Sequence, residues 1–196
     1  MKKFFVTLTA VLIVTCATFA EAASFTQPQL DKIFLEAEQS PATSATLNIN
    51  AATLTEKFNG IVTPILKESL GTDDVSAMAH LFLIKDAKIF SKADGDTFAN
   101  IFGDYRVALV GLSEPNGGNF KTLRMYYTTP EGNDESIFTI WLMTAFVKSI
   151  APDVNVQTLM NELTDENSSG TAVKGNVKFS IAEDGNLNVL TAMPAQ

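Results

Sequence analysis

The pattern of hydrophobic and polar residues changes three times along this chain, from a helical period to a strand period, back to a helical period and finally to a strand period. Between Leu30 and Leu70 apolar residues recur every three or four positions, which is typical of amphipathic helices. Between Ala79 and Thr128 short alternating runs are separated by Gly, Asn, Asp and Pro, which is typical of strands joined by turns. The pattern therefore predicts two helices, about five strands, two further helices and a C-terminal β-hairpin.

Capping signals set the ends of the two N-terminal helices. The first begins at Thr26-Gln27-Pro28-Gln29, where Thr26 and Gln29 can form a capping box. The second runs from about Ala51 to Leu70, with Asn50 as its N-cap and Gly71 just after its C-terminus. Pro64 removes one backbone hydrogen bond from this helix, so we expect a kink or break near residue 60.

Five short segments fit strands of an antiparallel meander, because the connections between them are too short for crossovers. They are His80 to Ile84, Lys88 to Ser91, Thr97 to Phe102, Tyr105 to Leu112 and Lys121 to Thr128. Near the C-terminus, Val177 to Ile181 and Leu187 to Ala192 flank the turn Asp184-Gly185 and predict a hairpin.

The segment Ile137 to Ile150 is apolar on nearly every side, and a helix of this kind has to be buried on more than one side. Its apolar stretch, Ile137 to Val147, is shorter than the about 20 residues that span a bilayer. We therefore expect a core helix, with Trp141 buried against the sheet.

Polar residues divide this region into two helices. Asn133 or Asp134 is expected to cap the core helix, where acidic residues suit the helix dipole. Pro152 ends the core helix, and Asn155 caps a shorter helix that runs through Leu163.

Together these elements predict an α+β fold, in which an antiparallel β-meander sheet is packed by helices. The layout resembles that of α/β/α sandwiches. We expect one globular domain at residues 23–196, after a signal peptide at residues 1–22.

Residues 1–22 have the features of a bacterial signal peptide. Lys2 and Lys3 are followed by the apolar stretch Phe4 to Val14, and Ala20-Glu21-Ala22 is an A-x-A cleavage site. The sequence therefore predicts export, with the mature protein in the periplasm or secreted.

The only cysteine, Cys16, lies within the predicted signal peptide. A lipoprotein signal ends in such a cysteine, but Thr15 stands where a small Gly or Ala is usual, which disfavours lipid anchoring. A mature chain without cysteine has no disulfide and no thiolate nucleophile.

The charge of the mature chain is strongly negative. Removing Lys2 and Lys3 from the 14 basic residues and Glu21 from the 22 acidic ones leaves 12 and 21, a net charge of −9. This balance argues against nucleic acid and anionic membrane surfaces as partners.

The chain offers few candidate catalytic or metal-binding residues. His80 is the only histidine, and no partner for a triad or a metal site lies at a defined spacing from it. Asp94-Gly95-Asp96 with Asp104 resembles a fragment of a calcium loop, but the remaining carboxylates of an EF-hand are absent. We expect no catalytic, cofactor-binding or metal-binding residue.

The only arginines, Arg106 and Arg124, lie on adjacent predicted strands among apolar residues. Arginine is suited to bidentate recognition of carboxylate or phosphate. If the strand register places both on one face, Arg106, Arg124 and Tyr126 form a polar patch for a ligand or partner. The alternative is that each arginine pairs with a neighbouring acid.

These features favour a non-enzymatic exported module that binds a small molecule or a protein, with no nucleic acid partner, membrane span or cofactor. Two alternatives remain open: a hydrolase-type periplasmic enzyme whose site assembles only in three dimensions, and a carrier of an apolar ligand. An enzyme predicts His80 facing an acid in a concave site. A carrier predicts an open cavity lined by Phe side chains.

Export generates the first testable prediction. Intact-mass measurement of the protein from its native host should show a chain that begins near Ala23, because the signal peptide has been removed. A mass that includes Met1 to Ala22, or a diacylglyceryl group on Cys16, would contradict it.

Overall fold

The computed structural model describes residues 24–37, 44–103 and 106–195. Within these ranges the helices are α1 (Gln27–Ala37), α2 (Ala51–Leu70), α3 (Ala79–Phe82), α4 (Asn133–Ile150) and α5 (Val156–Thr164), with a 3₁₀ turn at Ser76–Met78. The strands are β1 (Lys88–Lys92), β2 (Gly95–Phe102), β3 (Val107–Ser113), β4 (Phe120–Thr128), β5 (Thr171–Lys174), β6 (Val177–Asp184) and β7 (Leu187–Pro194).

These strands form one antiparallel sheet in the order β1-β2-β3-β4-β7-β6-β5. The first four follow chain order as a meander, and the C-terminal hairpin adds β7 to the other side of β4. Met125 accordingly lies opposite Leu109 on one neighbour and Leu190 on the other. The predicted α+β class, with its meander and C-terminal hairpin, is confirmed.

Alternation along β4 separates the two faces of the sheet. Leu123, Met125 and Tyr127 pack into the main core together with residues of α2 and α4. Tyr126 points to the opposite face and packs with Ile33 of α1. The sheet therefore has helices on both faces, with the larger core on the side of α2 and α4.

Helix α4 is enclosed by the main core. Phe138, Leu142 and Phe146 are buried there, and so is Trp141, at 9% exposure, whose ring lies 5.8 Å from that of Phe82. Ile140 is the exception, with 56% of its side chain exposed. The expectation that Trp141 is buried is confirmed.

The predicted caps are confirmed at two helices. The side chain of Asn50 accepts a hydrogen bond from the Thr53 N–H at 3.0 Å, and that of Asn155 accepts from the Thr158 N–H at 2.9 Å. Gly71 ends α2 with φ at 63°, a left-handed conformation that glycine adopts without a Cβ clash.

The predicted cap of α4 is wrong. The helix begins at Asn133, and the residue before it, Gly132, has no side chain to cap with. Instead Glu135 reaches back, and its Oε2 accepts from the Glu131 N–H at 2.8 Å. A carboxylate in the first turn satisfies a free backbone donor as a side-chain cap does and also suits the helix dipole.

Of the kink or break predicted in α2, the break is wrong, and the kink stays a prediction. The helix is continuous from Ala51 to Leu70 with Pro64 inside it. Phe58, Val62 and Leu66, on either side of Pro64, are all buried in the main core. We conclude that this packing offsets the one backbone hydrogen bond that proline removes.

The predicted strand at His80 to Ile84 is wrong, because residues 79–82 form the one-turn helix α3. Met78 and Phe82, four residues apart, are both buried, so the local period is helical. The short strand β5 was not predicted, and it pairs with β6 across a tight turn, with Lys174 opposite Val177 and Thr171 opposite Ser180.

The predicted signal peptide, Cys16, Asp104 and Tyr105 lie outside the described residues. Among those that are described, no helix is long and apolar enough to cross a membrane.

The enclosure of α4 predicts unequal effects for two neighbouring residues. Trp141→Ala should lower the free energy of unfolding by about 3–5 kcal/mol, because it leaves a cavity beside Phe82. Ile140→Ala, on the exposed side of the same helix, should change it by less than about 1 kcal/mol. Urea denaturation of both variants measures the difference, and equal losses would contradict the burial described here.

Candidate functional site

Arg106 is engaged in an ion pair within the fold. Its guanidinium Nη1 lies 3.1 Å from Oε1 of Glu135 in the first turn of α4, and both side chains are largely buried. Its backbone carbonyl accepts a hydrogen bond from the Thr128 N–H, at the end of the β3–β4 ladder. Arg106 thus ties the start of α4 to the sheet.

Arg124 and Tyr126 lie together beneath the end of α1. The Arg124 guanidinium donates to the backbone carbonyl of Glu36 at 2.7 Å, and the Tyr126 hydroxyl donates to the Glu36 carboxylate at 2.9 Å. Two further contacts, Gln29 with Asn186 and Lys32 with Asp184, hold the rest of α1 to the hairpin.

The register separates Arg106 from the other two residues of the predicted patch. Arg124 lies opposite Val110, four positions from Arg106 along the chain, which corresponds to about 13 Å in a strand. The structure therefore brings Arg124 and Tyr126 together and leaves Arg106 apart. A role of these three residues in binding stays a prediction.

The pKa of the Tyr126 phenol is raised above its usual value. Burial is the main cause, and the Glu36 carboxylate raises the pKa further, whereas the charge of Arg124 lowers it. The neutral phenol is therefore the form that the folded protein stabilises.

His80 lies in a pocket of roughly 320 Å³ at the edge of the sheet, where the chain from α3 to β1 passes the end of β2. Its lining combines apolar residues with three basic residues and one acid. They are Phe34, Leu83, Phe90, Ala99 and Ile101, then His80, Lys85 and Lys88, and also Asp86 and Asn100.

Asn100 is the least satisfied polar residue of this pocket. It is 6% exposed, and its side-chain nitrogen has no hydrogen-bond partner. It lies opposite Leu109 and shares a face of β2 with Phe98 and Phe102, which are core residues. A buried amide donor without an acceptor costs free energy, so this position calls for an explanation.

The two lysines of the pocket form no ion pair within the described part of the chain. Lys85 and Lys88 form no ion pair with any residue that the structure describes, although the whole chain has a net charge of −8. This contrasts with Arg106 and Arg124, which are both occupied. The pocket is therefore a positive site on an acidic protein.

Asn59 of α2 holds one wall of the pocket in place. Its side-chain nitrogen donates to the Ile84 carbonyl at 2.9 Å, and its oxygen accepts from the Ile84 N–H at 2.8 Å. These two hydrogen bonds resemble those between paired strands, and they fix the backbone between Leu83 and Lys85.

A larger cavity, of roughly 420 Å³, lies between the α4–α5 connection and the β5–β6 turn. Its one basic side chain, Lys174, already pairs with Glu162, and Asn155 caps α5. We therefore regard the smaller pocket as the better candidate site.

The Asp94-Gly95-Asp96 turn serves the fold. Asp96 is buried, and its Oδ2 accepts from the Gly117 N–H at 2.8 Å, which ties the β1–β2 turn to the β3–β4 turn. Asp94 is exposed. No group of three potential metal ligands occurs among the described residues.

Reasoning from the sequence missed Asn100, Lys85 and Lys88 as candidate site residues. A signal was present at Asn100, since it falls between Phe98 and Phe102 at a core position of a strand. Nothing local marks the two lysines, because their lack of partners depends on the three-dimensional arrangement.

Comparison of this chain with protein families, curated proteins and solved structures found no match. The site therefore has to be interpreted from its own geometry.

The contact between Tyr126 and Glu36 generates a prediction on pH. Tyr126→Phe should lower the free energy of unfolding at pH 7 by about 1–2 kcal/mol, because one buried hydrogen bond to a carboxylate is lost. Above pH 10 the phenol ionises in the unfolded chain but stays neutral in the folded protein. The folded protein then binds more protons than the unfolded chain, so the stability of the wild type falls as pH rises.

Urea denaturation at pH 7 and pH 11 tests both parts. The Phe variant should lose less stability than the wild type between the two values. The same loss in both proteins would show that Tyr126 does not set the alkaline limit.

Proposed function

We propose that the mature chain is an exported, non-enzymatic binding protein that holds a small amphipathic anion in the pocket beside Asn100. Export is supported by the signal-peptide pattern of residues 1–22. The binding role is carried by one observation, a positive pocket whose lining includes Asn100, a residue with a buried and unpartnered side-chain nitrogen.

An acceptor on the ligand would remove the cost of the unpartnered amide. Leaving a buried donor unsatisfied costs about 1–3 kcal/mol, and an anionic acceptor forms a stronger bond than a neutral one. A carboxylate on the ligand meets this requirement once the Asn100 amide turns toward it. The neighbouring Lys85 and Lys88 favour the same negative group.

The remaining walls are suited to an apolar tail. Phe34, Leu83 and Phe90 line the pocket, and Phe34 and Phe90 are partly open to solvent. A volume of roughly 320 Å³ is at the lower end for ligand sites, so the tail is short. A neutral apolar ligand would leave the amide and both lysines unmatched, which is why we prefer an anion.

The surroundings of His80 support binding more than catalysis. His80 and Asp86 share the pocket, yet they form neither a hydrogen bond nor an ion pair. A catalytic histidine needs a second group that orients it and sets its tautomer. Without that group, His80 contributes a polar wall rather than a general base.

Three matched probes test the proposal. Octanoate, octanol and octylamine have the same length of tail and differ in their head group. Octanoate should raise the free energy of unfolding with the logarithm of its concentration once it exceeds the dissociation constant, reaching about 2.7 kcal/mol at one hundred times that constant. Octanol and octylamine should have little effect, because they do not match the positive pocket. Equal stabilisation by octanol would contradict the preference for an anion.

Two variants locate the site. Asn100→Leu should abolish the effect of octanoate and raise the stability of the unliganded protein, since an unpartnered amide is replaced by an apolar group. Lys88→Ala should weaken the effect, whereas Lys57→Ala, an exposed lysine on α2, should leave it unchanged. Unaltered octanoate binding in Asn100→Leu would disprove the assignment of the pocket.

A further inference from the structure

Among the described residues that line the pocket beside Asn100, Asp86 is the one acid. Its side chain forms no ion pair with any residue that the structure describes. A free carboxylate close to a bound anion is unfavourable, because like charges repel each other. One charged group of the pocket is therefore not matched by a ligand that carries only a negative charge.

The backbone is fixed on both sides of Asp86. Two residues before it, the N–H and C=O groups of Ile84 are both bonded to the side chain of Asn59. Two residues after it, Lys88 pairs with Ala99, which also lines the pocket. Only three residues connect these two fixed points, and this short connection limits how far Asp86 can move from the pocket.

The charges along this connection alternate in sign. Lys85 and Lys88 are positive and Asp86 is negative, and all three residues are exposed and line the pocket. Neither lysine forms an ion pair with Asp86, although Lys85 directly precedes it. The pocket therefore offers cationic groups and an anionic group at the same time, which suits a ligand that carries both charges.

We propose that the ligand is a zwitterion, namely an α-amino acid with an apolar side chain. This inference rests on the proposed function and names the class of its ligand. The ligand carboxylate lies against Asn100 and the lysines, and the ligand ammonium group lies against Asp86. An ammonium group at this place replaces a repulsive contact of Asp86 with an attractive one.

The apolar part of the lining decides where the ammonium group sits on the ligand. Phe34, Leu83 and Phe90 are available to a tail, and a charge at the far end of that tail would lose its hydration among them. The ammonium group therefore belongs on the carbon next to the carboxylate. A pocket of roughly 320 Å³ is within the range of small-ligand sites and suits such a head group with a short tail.

Calorimetric titration at pH 7 with two matched ligands tests the inference. Octanoate with an ammonium group on the α-carbon (α-aminooctanoate) is compared with octanoate that has a hydroxyl there (α-hydroxyoctanoate), so the two differ in charge and little in size. The amino ligand should bind about two- to fivefold more tightly, which is the contribution of an exposed ion pair. Added salt should reduce this ratio.

Two variants assign the preference to one carboxylate. Asp86→Asn should bind both ligands equally, and it should bind octanoate at least as tightly as the wild type does, because a repulsive charge has been removed. Asp153→Asn, at an exposed acid in the larger cavity, changes the net charge by the same amount and should keep the preference. Both positions are exposed, so both variants should melt like the wild type.

Octanoate alone separates this inference from the proposed function. If octanoate binds and Asn100→Leu abolishes its binding, equal affinity of the wild type for the amino and hydroxy ligands would overturn the zwitterion and leave the proposed function standing. A preference that persists in Asp86→Asn, or that Asp153→Asn removes as well, would also overturn the zwitterion alone. If neither octanoate nor the amino ligand binds the wild type, both proposals are wrong.

Discussion

The fold depends on covering α4, a helix that is apolar on almost its whole circumference. Such a helix has no side that water solvates well, so it has to be enclosed from more than one direction. The sheet encloses it on one side, and α2, with its buried stripe from Leu54 to Leu66, lies beside it in the same core. Arg106 and Glu135 fix the start of α4 on the sheet.

Because α2 and α4 pack on one face of the sheet, the opposite face and the edges of the sheet remain for the other elements to cover. Helix α1 covers part of the opposite face and is held there by Glu36, Lys32 and Gln29. The helices leave the edge at β1 open. Asn100, Lys85 and Lys88 line the pocket beside this edge, and the Asn100 side-chain nitrogen has no hydrogen-bond partner among the described residues. Local departures from good packing and pairing are expected at functional sites.

The sequence predicted the features that depend on near neighbours. The helix ends at Asn50, Gly71 and Asn155 are recognisable from the residues next to them, and the turn residues between strands limit where the strands begin and end. His80 to Ile84 was misjudged because a run of five residues fits either period. The cap of α4 was misjudged because Glu135 does the capping from within the helix.

The candidate site could not be predicted for a different reason. Arginine between apolar residues indicates a polar contact, but only the register shows that Arg106 and Arg124 lie apart and that each has its own partner. The lysines at the edge look ordinary in sequence. Their importance comes from the lack of an ion pair with any described residue, which is a property of the folded arrangement.

The central claim is that a ligand anion accepts a hydrogen bond from the Asn100 side-chain amide, which has no partner among the described residues. A ¹H–¹⁵N correlation spectrum of the side-chain amides, recorded during an octanoate titration, measures this directly. The two Asn100 side-chain signals are identified because they are absent from the spectrum of Asn100→Leu. This pair should shift downfield and saturate with the ligand, because the amide donates a hydrogen bond to a new acceptor. A pair that stays in place while octanoate binds elsewhere, or while nothing binds, would contradict the account.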